Sequence, residues 1–140
     1  MSNEDFEEEF VFLTVEQVLI LHEEGIKRYS PTESLNVINE SSLRSAVDQP
    51  QQTFGGVYLY ESLTEMAAAY LISLSNNHAF EQGNKRVAFA ACSTFLRING
   101  YRLTLTQDEA VELTLRIVTH GIERNEVVEL LDNSIEPLSE

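Results

Sequence analysis

A short run of residues in the middle of the chain combines a proton acceptor, a flexible backbone and two positive charges. The run is His78-Ala79-Phe80-Glu81-Gln82-Gly83-Asn84-Lys85-Arg86. Histidine is the side chain that most readily takes up a proton near neutral pH, so His78 is a candidate general base. Gly83 can bring the backbone close to a ligand, because glycine has no side chain and tolerates positive φ. These residues indicate acid–base chemistry on an anionic ligand.

The end of this run is predicted to begin a helix at about Asn84. The first N–H groups of a helix point outward with the positive end of the helix dipole behind them, and together they attract an anion. The same dipole disfavours nearby cations by about 0.3–1 kcal/mol each, unless a bound phosphate reverses the effect. The residues expected to bind phosphate are Gly83, Asn84, Lys85 and Arg86. Taken singly, Asn84 as a helix N-cap and Gly83 as a turn glycine are the simpler explanations.

Two side chains between the histidine and the glycine carry oxygen atoms that a hard cation could use. Mg²⁺ takes oxygen ligands and often shares them with substrate phosphates. Glu81 and Gln82 are therefore candidate magnesium ligands, and only Glu81 supplies charge. Phe80 is expected to turn inward and to fix the loop.

The remaining histidines and the single cysteine indicate no second site. His22 and His120 stand alone on different predicted helices, without the His-Glu-x-x-His spacing of a zinc site, and are expected to be structural or exposed. Cys92 lies two turns inside an apolar helix, which predicts a core residue rather than a nucleophile. A lone cysteine allows no internal disulfide and no cysteine-based zinc cluster, in keeping with a reducing compartment.

Helices must hold the loop in place, and the hydrophobic periodicity predicts six of them. Capping boxes at Thr14-x-x-Gln17, Ser62-x-x-Glu65 and Thr106-x-x-Glu109 mark three helix starts. The fourth helix is apolar nearly all round and is expected to be central. The predicted ends are Tyr29 for helix one, Pro50 as the limit of a short helix two capped by Ser41 or Ser42, Asn76-Asn77 for helix three, Asn99-Gly100 for helix four, His120-Gly121 for helix five and about Leu131 for a short helix six that starts near Asn125.

One short β-hairpin is predicted before the third helix. Gly55 and Gly56 suit a two-residue turn with positive φ, and the flanking residues from Gln51 to Tyr60 are β-prone. The predicted fold class is therefore an all-α bundle of about six helices with a small β-hairpin flap before the motif.

Length and composition indicate one globular domain. The chain has 140 residues, of which 43% are hydrophobic and 23% are charged, close to the average of globular proteins. No apolar stretch approaches the roughly 20 residues that a membrane span needs. The acidic N-terminal residues lack the basic and apolar regions of a secretory signal. We therefore expect a cytoplasmic protein with an acidic flexible leader over residues 1–10 and one domain over residues 11–135.

The charge distribution favours a small anionic ligand over a nucleic acid. Nine bases and twenty-three acids give a net charge of −14, which repels polyanions. Direct nucleic-acid binding is therefore not expected. Residues 82–107 nevertheless contain no acid, and their bases are Lys85, Arg86, Arg97 and Arg102. This window is the one place where a small anion would be attracted.

The run from His78 to Arg86 resembles the signature of the death-on-curing (Doc) toxins in the Fic superfamily. The resemblance extends upstream through Pro50-Gln51-Gln52-Thr53-Phe54-Gly55-Gly56 and downstream through Phe95-Leu96-Arg97-Ile98-Asn99-Gly100, and covers roughly residues 12–131. It implies an all-α Fic fold in which the motif histidine, here His78, is the catalytic base. It also implies that Gly83, Asn84, Lys85 and Arg86 hold the phosphates of ATP. The flap implied to dock the protein target contains Phe54, Gly55, Gly56 and Tyr58.

Two positions favour the Doc branch of this superfamily. Most Fic relatives are adenylyltransferases with a second glycine after the asparagine and a further arginine three residues beyond the motif arginine, whereas this chain has Lys85 and Phe89 there. The Doc resemblance implies a cytoplasmic toxin of a type II toxin–antitoxin system. Such a toxin transfers the γ-phosphate of ATP to a translation factor, elongation factor Tu, and halts translation. The implied partner is an antitoxin of the Phd type.

One departure from the family pattern concerns the metal. The family has Asp, Asn or Glu where this chain has Gln82, and a neutral amide is a poorer Mg²⁺ ligand. Either the triphosphate and water hold most of the metal, or Glu81 supplies a substitute carboxylate, or the activity is weakened. Two other functions stay open: a Fic-type adenylyltransferase, and a non-catalytic Fic domain that binds an anion or a partner.

Overall fold

The computed structural model describes residues 9–139, within which the chain folds as six α-helices and two short antiparallel ladders. The helices are α1 (Val15–Tyr29), α2 (Glu40–Asp48), α3 (Leu63–Asn76), α4 (Asn84–Ile98), α5 (Gln107–Val118) and α6 (Arg124–Asp132). The strands are β1 (Thr53–Phe54), β2 (Val57–Tyr58), β3 (Tyr101–Leu103) and β4 (Ile135–Pro137). The predicted helical bundle with a small hairpin is confirmed. Residues 1–8 of the expected leader lie outside the described residues.

Helices α3 and α4 form the centre of the molecule and pack more extensively against each other than any other pair of elements. Three consecutive alanines on α3, Ala67 to Ala69, are buried, and small side chains let neighbouring helices approach closely. From α4, Phe95 and Leu96 are fully buried, and burial of such a side chain contributes about 1.5–3 kcal/mol. The predicted central position of α4 is confirmed, and the two helices hold the motif loop between them.

Side-chain caps define where most of the helices begin. Thr14 and Thr106 head full capping boxes, as predicted, whereas Ser62 caps α3 through its hydroxyl alone. Helix α2 is capped by Asn39 rather than by either serine predicted for this role, because the Asn39 side chain accepts the N–H of Ser42. The end of α2 runs into a short 3₁₀ turn that leads to the hairpin.

The hairpin turns at Gly55 and Gly56, which have φ of 62° and 82°. These positive values are the reason that glycine is needed at both positions. On β2, the Tyr58 ring lies against two aromatic rings of the N-terminal segment, with centroid distances of 6.1 Å to Phe10 and 5.7 Å to Phe12. The segment before α1 therefore anchors the hairpin to the helical core.

A second ladder, which the sequence pattern did not indicate, joins β3 to β4. Leu103 lies opposite Ile135, and Arg102 forms an ion pair with Glu136 across the two strands. Strand β4 extends to Pro137, past the expected end of the domain at residue 135. The ladder also changes the predicted positive window, because the charge of Arg102 is paired.

The helices pack their apolar side chains into the core. Cys92 of α4 is fully buried, as predicted, and burial raises the pKa of its thiol to about 12. Among the helices of residues 9–139, none has the length and apolar character needed to cross a bilayer.

Candidate active site

His78 follows Asn77, the C-cap of α3, and has a left-handed backbone with φ of 52°. Glycine usually fills this position after a helix, because the left-handed conformation costs a residue with a side chain about 1 kcal/mol. The His78 residue is exposed, and its imidazole makes no hydrogen bond with residues 9–139. The predicted base is therefore accessible to a substrate.

Phe80 is buried beneath the motif loop, as predicted. The side chain of Asn84 brackets the Phe80 backbone: Oδ1 accepts the N–H at 3.1 Å, and Nδ2 donates to the carbonyl at 2.8 Å. Asn84 therefore closes the loop, and the simpler explanation of this residue as a helix N-cap is wrong. The bracket draws the loop onto the start of α4. The Cα of His78 lies at most about 7.6 Å from that of Phe80, so the base is held near this helix end.

Gly83 is the N-cap of α4 and has a left-handed backbone with φ of 84°. A left-handed residue followed by a right-handed one turns successive N–H groups toward a common concavity that binds anions. Within residues 9–139, no hydrogen bond to the protein engages the N–H groups of Gly83, Asn84, Lys85 and Arg86. Four consecutive donors thus lack an acceptor, and a phosphate would supply one.

Lys85 and Arg86 add two positive charges to these donors. In the part of the chain that the structure describes, neither forms an ion pair with a carboxylate. The Arg86 side chain lies along α1, with its guanidinium carbon 5.1 Å from the centroid of the Tyr29 ring and Nη1 3.4 Å from the hydroxyl of Ser30. Gly25 leaves the space for it, since a Cβ at that position would lie 3.2 Å from Cδ of Arg86.

A groove of about 520 Å³ opens beside these cations, between α4 and α5. Lys85 and Arg86 stand at the end of the groove nearest to the motif loop. The groove continues along the next turns of α4 past Ala90 and Thr94, and Ala110 lines its opposite wall. Its volume lies in the range of small-molecule sites, which are typically apolar clefts with a few polar groups at fixed places.

Glu81 and Gln82 both contact the strap, which we define as residues 34–39 between α1 and α2. Oε1 of Glu81 accepts a hydrogen bond from Nδ2 of Asn36 at 3.2 Å, and Oε1 of Gln82 accepts the N–H of Ser34 at 2.7 Å. The backbone N–H of Glu81 also donates to the carbonyl of Asn36 at 3.0 Å. The strap therefore restrains both candidate metal ligands through hydrogen bonds, although both residues are exposed to solvent.

These two side chains do not form a magnesium site by themselves. Mg²⁺ demands a nearly octahedral set of oxygen ligands. The amide oxygen of Gln82 is already an acceptor, and Glu81 has one carboxylate oxygen left without a partner. Within residues 9–139, no cluster of three or more acidic, histidine or cysteine side chains is placed to hold a metal.

The predicted target-docking hairpin is a separate element from the loop. Phe54 is 81% exposed and Val57 is 66% exposed. No hydrogen bond within the described residues joins the hairpin to the motif loop. The structure thus brings His78 and the phosphate-binding residues together in one loop, and it leaves Phe54, Gly55, Gly56 and Tyr58 on another element.

A known protein family matches the part of the chain that contains this loop. The model of the Fic/DOC family matches residues 12–96, which include α3, the motif loop and most of α4. This chain belongs to the Fic/DOC family. The matched range includes the loop that contains His78 and Gly83.

Two relatives place the chain among the Doc proteins of this family. It is 41% identical over 95 residues to "Toxin Doc" of Mycolicibacterium smegmatis, a match that covers 66% of this chain and 73% of that protein. It is 26% identical over 126 residues to "Protein kinase doc" of Escherichia phage P1, covering 85% of this chain and 91% of that protein. The chain is therefore a Doc-like member of the Fic/DOC family.

His22 has the structural role that the sequence analysis allowed, but its contact with this candidate site was not predicted. It is buried, its ring stacks on that of Phe80 with centroids 3.7 Å apart, and Nε2 lies 2.8 Å from the carbonyl oxygen of Gln82. Burial lowers the pKa of His22, and the hydrogen bond with the Gln82 carbonyl opposes this shift less strongly. The signal in the sequence was a histidine in line with Val18 and Ile26, because a buried polar side chain needs a partner.

Helix α1 supplies a second contribution that the sequence did not indicate. Gly25 and Tyr29 follow His22 at helical spacing, and both contact Arg86. A glycine inside a helix is unfavourable by about 1 kcal/mol relative to alanine. Such a position signals a close approach of another group, and here that group is the stem of Arg86.

Proposed function

We propose that this Doc-like chain is the toxin of a type II toxin–antitoxin system and acts in the cytoplasm. It transfers the γ-phosphate of ATP to a hydroxyl of a translation factor resembling elongation factor Tu, which halts translation. The observation that carries the proposal is the row of four N–H groups at the start of α4 that no hydrogen bond within residues 9–139 engages. Beside them lie an open groove and two cations that form no ion pair with the described carboxylates. The name "Protein kinase doc" of the phage P1 relative supports the type of transfer.

The position of the groove favours transfer of the terminal phosphate. The groove continues from Lys85 and Arg86 along α4, away from the motif loop. A nucleoside in the groove would direct its phosphates past the two cations toward the N–H groups of Gly83 and Asn84. The γ-phosphate would then be the one nearest to His78. An adenylyltransferase needs the opposite order, with the α-phosphate at the base.

The proposed reaction needs one base and one anion site. The neutral imidazole of His78 takes the proton from the target hydroxyl while the hydroxyl oxygen bonds to the γ-phosphorus. The bond between the γ-phosphorus and the bridging oxygen breaks, and ADP leaves. Phosphoryl transfer depends largely on positioning and on stabilising the equatorial oxygens. In this proposal, the N–H groups of Gly83 and Asn84 and the side chains of Lys85 and Arg86 perform that task.

Magnesium enters this proposal as part of the substrate, MgATP. The ion neutralises charge on the phosphate oxygens when it is bound. Glu81 has one free carboxylate oxygen and Gln82 offers a neutral amide, so the protein's share in holding the metal is small. This arrangement is the first of the alternatives that the sequence left open.

Two protein partners are part of the proposal. The exposed apolar side chains of the hairpin, Phe54 and Val57, form a surface on which an extended segment of the target would lie. The second partner is an antitoxin, which the name "Toxin Doc" of the relative in Mycolicibacterium smegmatis supports. Its Phd type is what the resemblance to Doc toxins implies. Co-purification of this chain with the product of a neighbouring small reading frame tests the antitoxin.

The decisive experiment incubates the purified chain with candidate translation factors and ATP labelled on either the γ- or the α-phosphate. We expect the γ label, and not the α label, to appear on a protein hydroxyl. His78→Asn serves as the inactive control, because asparagine tolerates the left-handed backbone but is not a base. Growth arrest on expression, relieved in the same variant, would support the role as a toxin.

Two other results would replace the proposal. Appearance of the α label on protein would make the chain an adenylyltransferase. Absence of both labels, with ATP bound and growth unaffected, would leave a non-catalytic domain that binds an anion. Gln82, in place of the Asp, Asn or Glu of the family pattern, is the observation that favours this last outcome.

A further inference from the structure

His22 lies on α1 directly beneath the motif loop and is 3% exposed. Three features of the loop contact its ring. The ring of Phe80 stacks on it, the carbonyl of Gln82 forms a hydrogen bond with Nε2, and Gly83 packs against its edge. A side chain buried in this way cannot touch a substrate, so any role in the reaction must act through the loop.

The hydrogen bond between His22 and the carbonyl of Gln82 fixes the direction of the neighbouring N–H group, which belongs to Gly83. The peptide bond between Gln82 and Gly83 is trans and planar, so its C=O and N–H groups point in opposite directions. The carbonyl is directed at His22, 2.8 Å away, in the interior. The N–H of Gly83 therefore points away from α1, and no hydrogen bond within residues 9–139 engages it.

Close packing reinforces this direction. An added Cβ at Gly83 would lie 3.0 Å from Cδ1 of Ile26 and 3.2 Å from Nε2 of His22. The backbone thus approaches α1 more closely than a residue with a side chain could. A peptide held at this distance, with a hydrogen-bond donor on its inner side, has little freedom to rotate.

We propose that His22 is a positioning residue that aims the N–H of Gly83 at the phosphate of the bound nucleotide. The inference rests on the proposed function, which places the terminal phosphate at this end of α4. Without the hydrogen bond, the peptide between Gln82 and Gly83 can rotate and present its carbonyl oxygen to the phosphate. That rotation would exchange an attractive donor for a repulsive acceptor at the start of the anion site.

The bond requires one particular tautomer of His22, which gives a test that needs no activity. Only a proton on Nε2 allows the ring to donate to the Gln82 carbonyl, because a carbonyl oxygen cannot donate. Nitrogen NMR of the ¹⁵N-labelled full chain at pH 7.5 should show the neutral ring with its proton on Nε2. A proton on Nδ1 alone would overturn the proposal.

Two substitutions separate the hydrogen bond from the packing. His22→Gln keeps a donor at the position of Nε2, whereas His22→Leu keeps bulk and loses the donor. Both lose the stacking on Phe80, so we expect similar decreases in melting temperature. Isothermal titration with MgATP should show affinity within about threefold of the wild type for His22→Gln and roughly tenfold weaker for His22→Leu, a difference of about 1.4 kcal/mol.

The outcomes distinguish this inference from the proposed function. Equal MgATP affinity in the two variants overturns the positioning role and leaves the proposed function intact. A wild-type chain that binds no MgATP overturns both. If His22→Leu fails to fold, the tautomer measurement on the wild type and the affinity of His22→Gln still decide, because a Gln variant that loses tenfold in affinity contradicts the proposal.

Discussion

At the scale of single residues, the backbone and the side chain of His78 serve different purposes. The left-handed φ of 52° ends α3, and the exposed imidazole is the proposed base. We expect His78→Asn to lose phosphate transfer by about 10²–10⁴-fold, because general-base catalysis is removed. The melting temperature should stay the same, since asparagine adopts this backbone region readily. Label transfer and thermal unfolding of the same preparation measure both.

His78→Gly provides a second measure of the backbone conformation. Glycine adopts the left-handed region without steric cost, so the variant should be inactive and at least as stable as His78→Asn. If a variant at this position kept full phosphate transfer, His78 would not be the catalytic base.

The weak metal ligands of the loop lead to a second prediction at this scale. Gln82→Asp shortens the side chain, so that its carboxylate no longer reaches the N–H of Ser34 and is free to bind Mg²⁺. We expect this variant to need less Mg²⁺ for half-maximal transfer than the wild type. A magnesium titration of the transfer rate measures the change.

Glu81→Gln is the matched control for the magnesium titration. It keeps an oxygen acceptor for Asn36 and removes the charge. If phosphates and water hold the ion, this substitution should change the magnesium dependence little. A crippled Glu81→Gln together with an unchanged Gln82→Asp would show instead that Glu81 is the metal ligand.

At the scale of elements, helix α1 acts as a wall of the site. Its Tyr29 ring lies 5.1 Å from the guanidinium of Arg86, and a cation–π contact at an exposed position contributes about 0.5–1 kcal/mol. Tyr29→Leu should therefore weaken MgATP binding by about two- to fivefold, as measured by titration calorimetry. Tyr29→Phe keeps the ring and should bind like the wild type. Equal weakening in both would assign the effect to the tyrosine hydroxyl.

The helices were predictable from the sequence because their signals are local. Capping boxes at Thr14 and Thr106 and the apolar periodicity of α4 specify starts, ends and buried faces within a few turns. The ladder between β3 and β4 was not predictable in this way. Each of its strands has three residues, and Leu103 pairs with Ile135 far along the chain. Pairing between such distant short segments leaves no periodic pattern.

In the candidate site, too, local features could be predicted from the sequence, whereas contacts between distant elements could not. The inward position of Phe80 and the start of α4 near Asn84 were predictable from residue types, whereas the roles of His78 as base and of this helix end as anion site stay predictions. The role of Asn84 as a bracket, and the contacts of His22 and Gln82, depend on how α1 and the strap pack on the loop. Nothing in the loop sequence specifies those elements as its partners.

At the scale of the whole molecule, the net charge of the chain repels an anionic ligand, whereas the cations of the candidate site attract one. The chain carries a net charge of −14, which repels a triphosphate at long range. Pairing of Arg102 with Glu136 leaves Lys85 and Arg86 as the cations beside the groove. Under the proposed function, attraction of ATP therefore depends on short-range contacts with the four N–H groups and the two side chains.

Cys92 offers a measure of how binding at the loop stabilises the entire fold. Its thiol is fully buried in α4, and burial raises its pKa to about 12, so the native chain should not react with a thiol reagent at pH 8. Labelling should occur only after global unfolding, and the sequence contains one cysteine, so a single reaction is observed. When refolding is faster than labelling, the observed rate is proportional to the unfolded fraction.

MgATP should then slow the labelling of Cys92. A ligand that binds only the folded chain reduces the unfolded fraction by a factor equal to one plus the ratio of ligand concentration to Kd. This factor is about 100 when the MgATP concentration is a hundred times Kd. Arg86→Ala is the control, because loss of this phosphate contact should reduce the protection at the same MgATP concentration. Rapid labelling that MgATP does not slow would show that α4 opens locally around Cys92 without unfolding of the loop. That result would contradict the interpretation that α3 and α4 form a rigid pair that holds the anion site.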